Sequence, residues 1–154
     1  MSRLKELRKL IDQELASVAD SDRRKSAYIH LYGVSLSATL IAEKRKVNAE
    51  LASMAAMLHD IYAYKSGSYE GHAEKGAEMA RELLKKLALT SESETDAICR
   101  AIRHHDDKHC VHEPLDEVLK DADVMHHCLH DLSKAIKEKE ADRYAALRKE
   151  FMLD

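Results

Sequence analysis

The stretch "MLHDIYAY", residues 57–64, places a histidine beside a carboxylate at the end of an apolar run. Imidazole and carboxylate are side chains that bind divalent transition ions. A carboxylate enclosed by apolar groups is costly unless a cation compensates it, and neutral imidazoles add donors without adding repulsion. His59 follows Ala52, Ala55 and Ala56 at spacings of seven, four and three, so on a helix it lies over small residues that leave room for another group. Asp60 is displaced by about 100° around the same helix. A long imidazole and a short carboxylate from these adjacent positions can converge on one ion. His30 stands four residues before Val34 and eight before Ala38, on the apolar stripe of its own segment, so its ring is expected to face into a bundle. Histidine is abundant: of ten, seven (His104, His105, His109, His112, His126, His127 and His130) lie within 27 residues.

The elements that position these groups are expected to be helices. The 154-residue chain has four glycines and one proline, too little turn chemistry for many strands, and apolar residues recur at three and four along nearly its whole length. Its length fits one domain spanning residues 1–154. The spacing predicts about six or seven helices and no sheet. "RLKELRKLIDQEL" forms the first, and Ser21 or Asp22 caps a second over about 22–45. Asn48 caps a third to about residue 60, the glycine-bearing "IYAYKSGSYEG" is a loop, and a helix follows over about 71–89. Ser91 or Ser93 caps the next, to about His105, and the lone Pro114 opens one over about 114–138, before a last amphipathic segment. With 45% hydrophobic and 34% charged residues and a formal net charge of -3, nothing favours a nucleic-acid duplex or a membrane as partner. The charged N-terminus lacks an apolar leader segment, which predicts a cytoplasmic protein. The odd set Cys99, Cys110 and Cys128 matches no zinc-binding pair.

The ordered set of His30 in "YIHLYGVSLSATLIA", His59 and Asp60 in "ASMAAMLHDI", and Ala122 and Asp123 in "LKDADVMHH" resembles the HD superfamily of metal-dependent phosphohydrolases, over residues 23 to about 130. The resemblance implies an all-α helical bundle and makes His30, His59, Asp60 and Asp123 the ligands of a principal metal ion. Asp121, not preceded by alanine, is expected to be solvated. His72 in "GHAEKGAEMA" and the pair His104 and His105 in "AICRAIRHHDD" match the positions that hold a second ion in some HD families, His105 fitting better than His104. With two ions, Asp60 would be the shared, catalytic carboxylate. The implied activity is cleavage of a phosphate ester or anhydride by a metal-activated water, with a nucleotide as the first-ranked small phosphorylated substrate. The implied cofactor is one or two divalent ions; the imidazole and carboxylate donors suit Fe, Mn, Co, Ni or Zn, with Mg also admitted.

A bound phosphate needs cations near the metals. Lys65 and Lys108, each a few residues from an expected ligand, are the candidates, and Arg103 is similarly placed. "KEKEADR" at 137–143 reads as a solvated helix face, His127 as a hydrogen-bonded neighbour of the ligands, and His109, His112 and His130 as surface residues. Two alternatives use the same set: an HD-fold mixed-valence di-iron oxygenase, and a non-catalytic nucleotide-binding regulatory domain.

Overall fold

The computed structural model describes residues 2–153. Eight helices follow in order: α1 (Arg3–Ala16), α2 (Ser21–Arg45), α3 (Ala49–Leu58), α4 (Ile61–Ser66), α5 (His72–Leu87), α6 (Glu92–His104), α7 (Pro114–His130) and α8 (Glu138–Glu150). The described residues contain no strand, and seven helices have ten residues or more, so the all-α bundle expected from the apolar spacing is what forms. None of these helices is long and apolar enough to cross a membrane.

Local chemistry sets most of the boundaries. The Asp20 carboxylate accepts from the amides of Asp22 and Arg23 and starts α2, one position before the expected caps. Asn48 accepts from the Leu51 amide at the start of α3, and Ser91 and Glu94 form a reciprocal capping box at the start of α6. Two expectations need correction. The "IYAYKSGSYEG" segment is not all loop, because Ile61–Ser66 continues the apolar pattern as α4 and ends at Gly67 in the left-handed region, φ 73°. In turn, α7 stops at His130, where Asp131 is extended, and residues 131–137 form an irregular connection before α8.

The core is built around α3, where every residue from Ala52 to Leu58 is buried. Its small side chains let α2 approach closely enough for the Ser35 and Ser53 hydroxyls to meet at 2.6 Å. Helices α1, α6 and α7 pack on its other sides, α7 also packs on α2, and α5 lies on α6. Truncating a fully buried α3 side chain such as Met57 to alanine removes roughly 2–5 kcal/mol of stability. At Gly76 of α5 a Cβ would stand 3.1 Å from the His59 carbonyl oxygen, so the missing side chain lets α5 approach the end of α3.

Candidate metal centre

The histidine–aspartate doublet occupies the junction between two helices: His59 caps the end of α3 and Asp60 precedes α4. His59 Nδ1 donates to the Ala56 carbonyl at 2.7 Å, which leaves Nε2 facing His30 Nε2 of α2 at 3.1 Å. Asp60 Oδ2 lies 3.2 Å from His30 Nε2 and 3.4 Å from His59 Nε2. From α7, Asp123 Oδ1 lies 3.4 and 3.6 Å from the same two nitrogens. All four side chains are buried. The fold therefore brings together His30, His59, Asp60 and Asp123 from three places in the sequence.

A second group meets the other oxygen of Asp60. His105 Nε2 is 3.2 Å and His72 Nε2 3.6 Å from Asp60 Oδ1, and the two nitrogens are 3.3 Å apart. Their Nδ1 atoms face the carbonyls of Ile102, at 2.6 Å, and Tyr69, at 2.8 Å, which places a proton on each Nδ1 and turns Nε2 toward the carboxylate. His72 reaches this position from the first turn of α5, and His105 from the end of α6.

Buried oxygens Asp60 Oδ1 and Asp123 Oδ1 receive no hydrogen bond. Buried acceptors are ordinarily paired, so two orphaned carboxylate oxygens surrounded by imidazole nitrogens fit divalent ions, one on each side of Asp60. Without an ion the charge is compensated by protons. Burial alone would lower the His59 pKa, but the Asp60 and Asp123 carboxylates outweigh it and raise it to about 10. His30 is pushed down, chiefly by burial. Burial works to raise Asp60 and Asp123, yet His59 beside Asp60 and Lys108 beside Asp123 hold both well below the ordinary carboxylate range. Metal binding would displace the His59 proton.

Three expected site residues are placed elsewhere. His104, one position from His105 and so on another face of α6, bonds Asp116 at 2.8 Å and stacks on His112 with centroids 3.9 Å apart. Lys65 is paired with Glu14 of α1. Lys108 is buried and donates to Asp123 Oδ2 and the His105 carbonyl, both at 2.7 Å, so it orients a ligand rather than facing a phosphate. Asp121 is also not solvated: it is buried and paired with Arg45 at 2.7 Å and Arg143 at 3.0 Å. His112 is not a free surface residue either, since the fully buried Lys120 bonds its Nδ1 at 2.6 Å.

The cations that do reach the centre come from further away. A cavity of about 640 Å³ has Asp60, His72 and Asp123 in its lining, and Arg103, Lys137 and Lys139 are its basic residues. Arg103 is paired with Glu74 and Lys139 with Asp106, whereas the Lys137 side chain forms no ion pair among the described residues. In the sequence the 137–143 charge run looks like a solvated helix face, because only the packing of α8 onto α7 brings Lys137 and Lys139 to this cavity. His127 also lines this cavity. Its Nε2 is 3.5 Å from Asp123 Oδ1, and its Nδ1 pairs at 2.8 Å with Glu140, which is 1% exposed. The i, i+4 spacing from Asp123 was the signal in the sequence for His127; nothing pointed to Glu140.

Comparison with known proteins identifies a family and a fold. The family model for the HD domain matches residues 27–147. A crystal structure of a predicted HD superfamily hydrolase from an uncultured Thermotogales bacterium superposes with a TM-score of 0.64, at 23% sequence identity, covering 94% of this chain and 87% of that one. At that identity the likeness carries the fold. No curated protein sequence matches the chain.

Proposed function

The chain belongs to the HD-domain family, and on that premise we propose that it is a metal-dependent phosphohydrolase that cleaves a phosphate ester or anhydride of a small molecule, with a nucleotide as the first class to test. The observation that carries the reading is Asp60, a buried carboxylate shared by two clusters of imidazole nitrogens beneath a cavity with basic residues. His30, His59 and Asp60 would hold one ion, with Asp123 Oδ1 directed at the same two imidazoles and His127 completing a group with His30 and Asp123, and Asp60, His72 and His105 would hold a second. Imidazole and carboxylate donors suit Fe, Mn, Co, Ni or Zn. When bound, such ions supply the charge that acidifies a water and polarises a phosphoryl oxygen.

The chain's own residues do the remaining work. The hydrogen bonds from Nδ1 of His59, His72 and His105 to backbone carbonyls fix each ring with Nε2 facing Asp60. Lys108 engages Oδ2 of Asp123 and leaves Oδ1 directed toward His30 and His59. Lys137, together with the paired Arg103 and Lys139, supplies positive charge for the phosphate oxygens. The absence of a glycine-rich phosphate loop is consistent with phosphate recognition by ions and side chains.

The test is metal analysis of protein purified without chelator, followed by a screen of nucleotides and other phosphoesters with the metal found. Hydrolysis that chelation abolishes and that metal restores is the expected result. Metal-loaded protein inert to the whole panel would overturn the reading. A mixed-valence iron signal together with oxygen consumption would replace it with the di-iron oxygenase that the same six ligands could serve.

A further inference from the structure

A second cavity, of about 300 Å³, adjoins the first, and His30, Tyr64, His127, Lys137 and Glu140 line both. The rest of its lining differs in chemistry. Ile29, Ala135 and Ile136 are apolar, and His126 and His130 contribute imidazoles stacked with centroids 5.0 Å apart and planes 18° from parallel. Ile29 and Ile136 are 40% and 48% exposed, large aliphatic side chains left in water at a cavity wall. The cavity's only lysine not shared with the first, Lys134, lies 3.9 Å from the carboxylate of Asp131, so the lining offers a second phosphate group little.

The position of His126 depends on a side chain that is missing. Gly33 lies within the 25-residue α2, where glycine is unfavourable. A Cβ there would collide with Nδ1 and Cε1 of the His126 ring. The glycine therefore lets one imidazole lie directly against the helix backbone, where it forms part of the cavity wall.

We infer that the second cavity is the leaving-group subsite, shaped for a planar ring that lies against the stacked His126–His130 pair and packs against Ile29 and Ile136. This rests on the phosphoester reading of the first cavity. A substrate with its phosphoryl group beside Asp60 and Asp123 can send its leaving group past His127 into a space walled by aliphatic side chains and imidazole rings. A nucleobase and a simple aryl group share that chemistry.

The full chain tests this in two arms. In the first, adenosine, p-nitrophenol and ribose 5-phosphate are each titrated into metal-free protein while the histidine ring protons are followed by NMR, those of His126 and His130 being assigned with His126→Asn and His130→Gln proteins. Adenosine should shift both rings and ribose 5-phosphate neither. Shifts with p-nitrophenol alone would assign the subsite to an aryl group, and silence from both ring compounds overturns it. In the second arm, Ile136→Trp, at a half-exposed position of an irregular segment, fills the cavity. The ratio of kcat/KM for adenosine 5′-monophosphate, or for p-nitrophenyl phosphate, to that for glycerol 2-phosphate should fall by roughly tenfold or more. An unchanged ratio contradicts the inference. If the parent hydrolyses none of the three phosphoesters, the phosphohydrolase reading has failed by itself, and the NMR arm still decides whether rings bind here.

Discussion

Asp60→Asn keeps the shape of the side chain and removes its charge. Asp60 and Asp123 are the carboxylates of the centre, and the buried Lys108 is paired with Asp123 at 2.7 Å. With neutral imidazoles around it, the Asp60 carboxylate faces no lysine or arginine among the described residues, so its charge is left for the ions to compensate. The amide removes that charge and puts an N–H₂ group where one cluster needs an oxygen ligand, so both ions lose affinity. In the parent, a divalent ion at one hundred times its Kd adds about 2.7 kcal/mol of stability. For a chain of this size each kcal/mol is worth roughly 2–4 °C, which gives a metal-dependent rise in Tm of roughly 5–11 °C. Thermal melts with and without metal, beside elemental analysis, make the assay. The asparagine protein should lose most of that rise, bind at most about one ion, and keep its helical circular dichroism. Parent-like metal content together with a parent-like rise in Tm would refute the assignment of Asp60 as the shared ligand.

Replacing His72 or His105 with alanine should remove about one metal equivalent and leave the other in place, because His30, His59, Asp60 and Asp123 remain; unchanged stoichiometry in both variants would reduce the centre to a single ion. Lys137→Ala should raise KM for a phosphoester by roughly fivefold, the scale of an exposed charge worth about 1 kcal/mol, with the effect shrinking at high salt; a KM that does not move removes Lys137 from substrate binding. Burial would raise the Glu117 pKa, but Arg143, Lys120 and the His112 amide hold it down at about 2, below its ordinary value of 4.5. The stability this carboxylate provides is fully present above pH 4.5 and disappears as pH falls toward 2, so Glu117→Gln should cost about 2 kcal/mol at pH 7 and progressively less below pH 4.5. Urea titrations at pH 7 and pH 3 check it, and a cost equal at both would contradict the pairing.

What could be read from the sequence was local. Asn48 and Ser91 were legible as caps because a cap is a contact over three residues. The alanines under His59 showed in advance which side of α3 had room. The α4 segment was hidden because Gly67 and Gly71 signal a loop and mask the six helical residues before them. Neighbouring His104 and His105 differ by one step around α6, and what separates them is Asp116, twelve residues after His104 and on another helix. Lys65 and Lys108 are near the ligands in sequence, but Glu14 and Asp123 claim them. Lys137, Lys139 and Glu140 reach the centre only because an irregular segment after His130 folds α8 back along α7, and no periodicity encodes that return.

The central claim is that Asp60 joins two metal positions. Diffraction from crystals grown with manganese or iron, with data collected at and below the metal absorption edge, tests it most directly. Two anomalous peaks are expected, one beside Oδ2 of Asp60 among His30, His59 and Asp123, the other beside Oδ1 between His72 and His105. A metal-saturated crystal with only one peak, or none, adjoining Asp60 would contradict it.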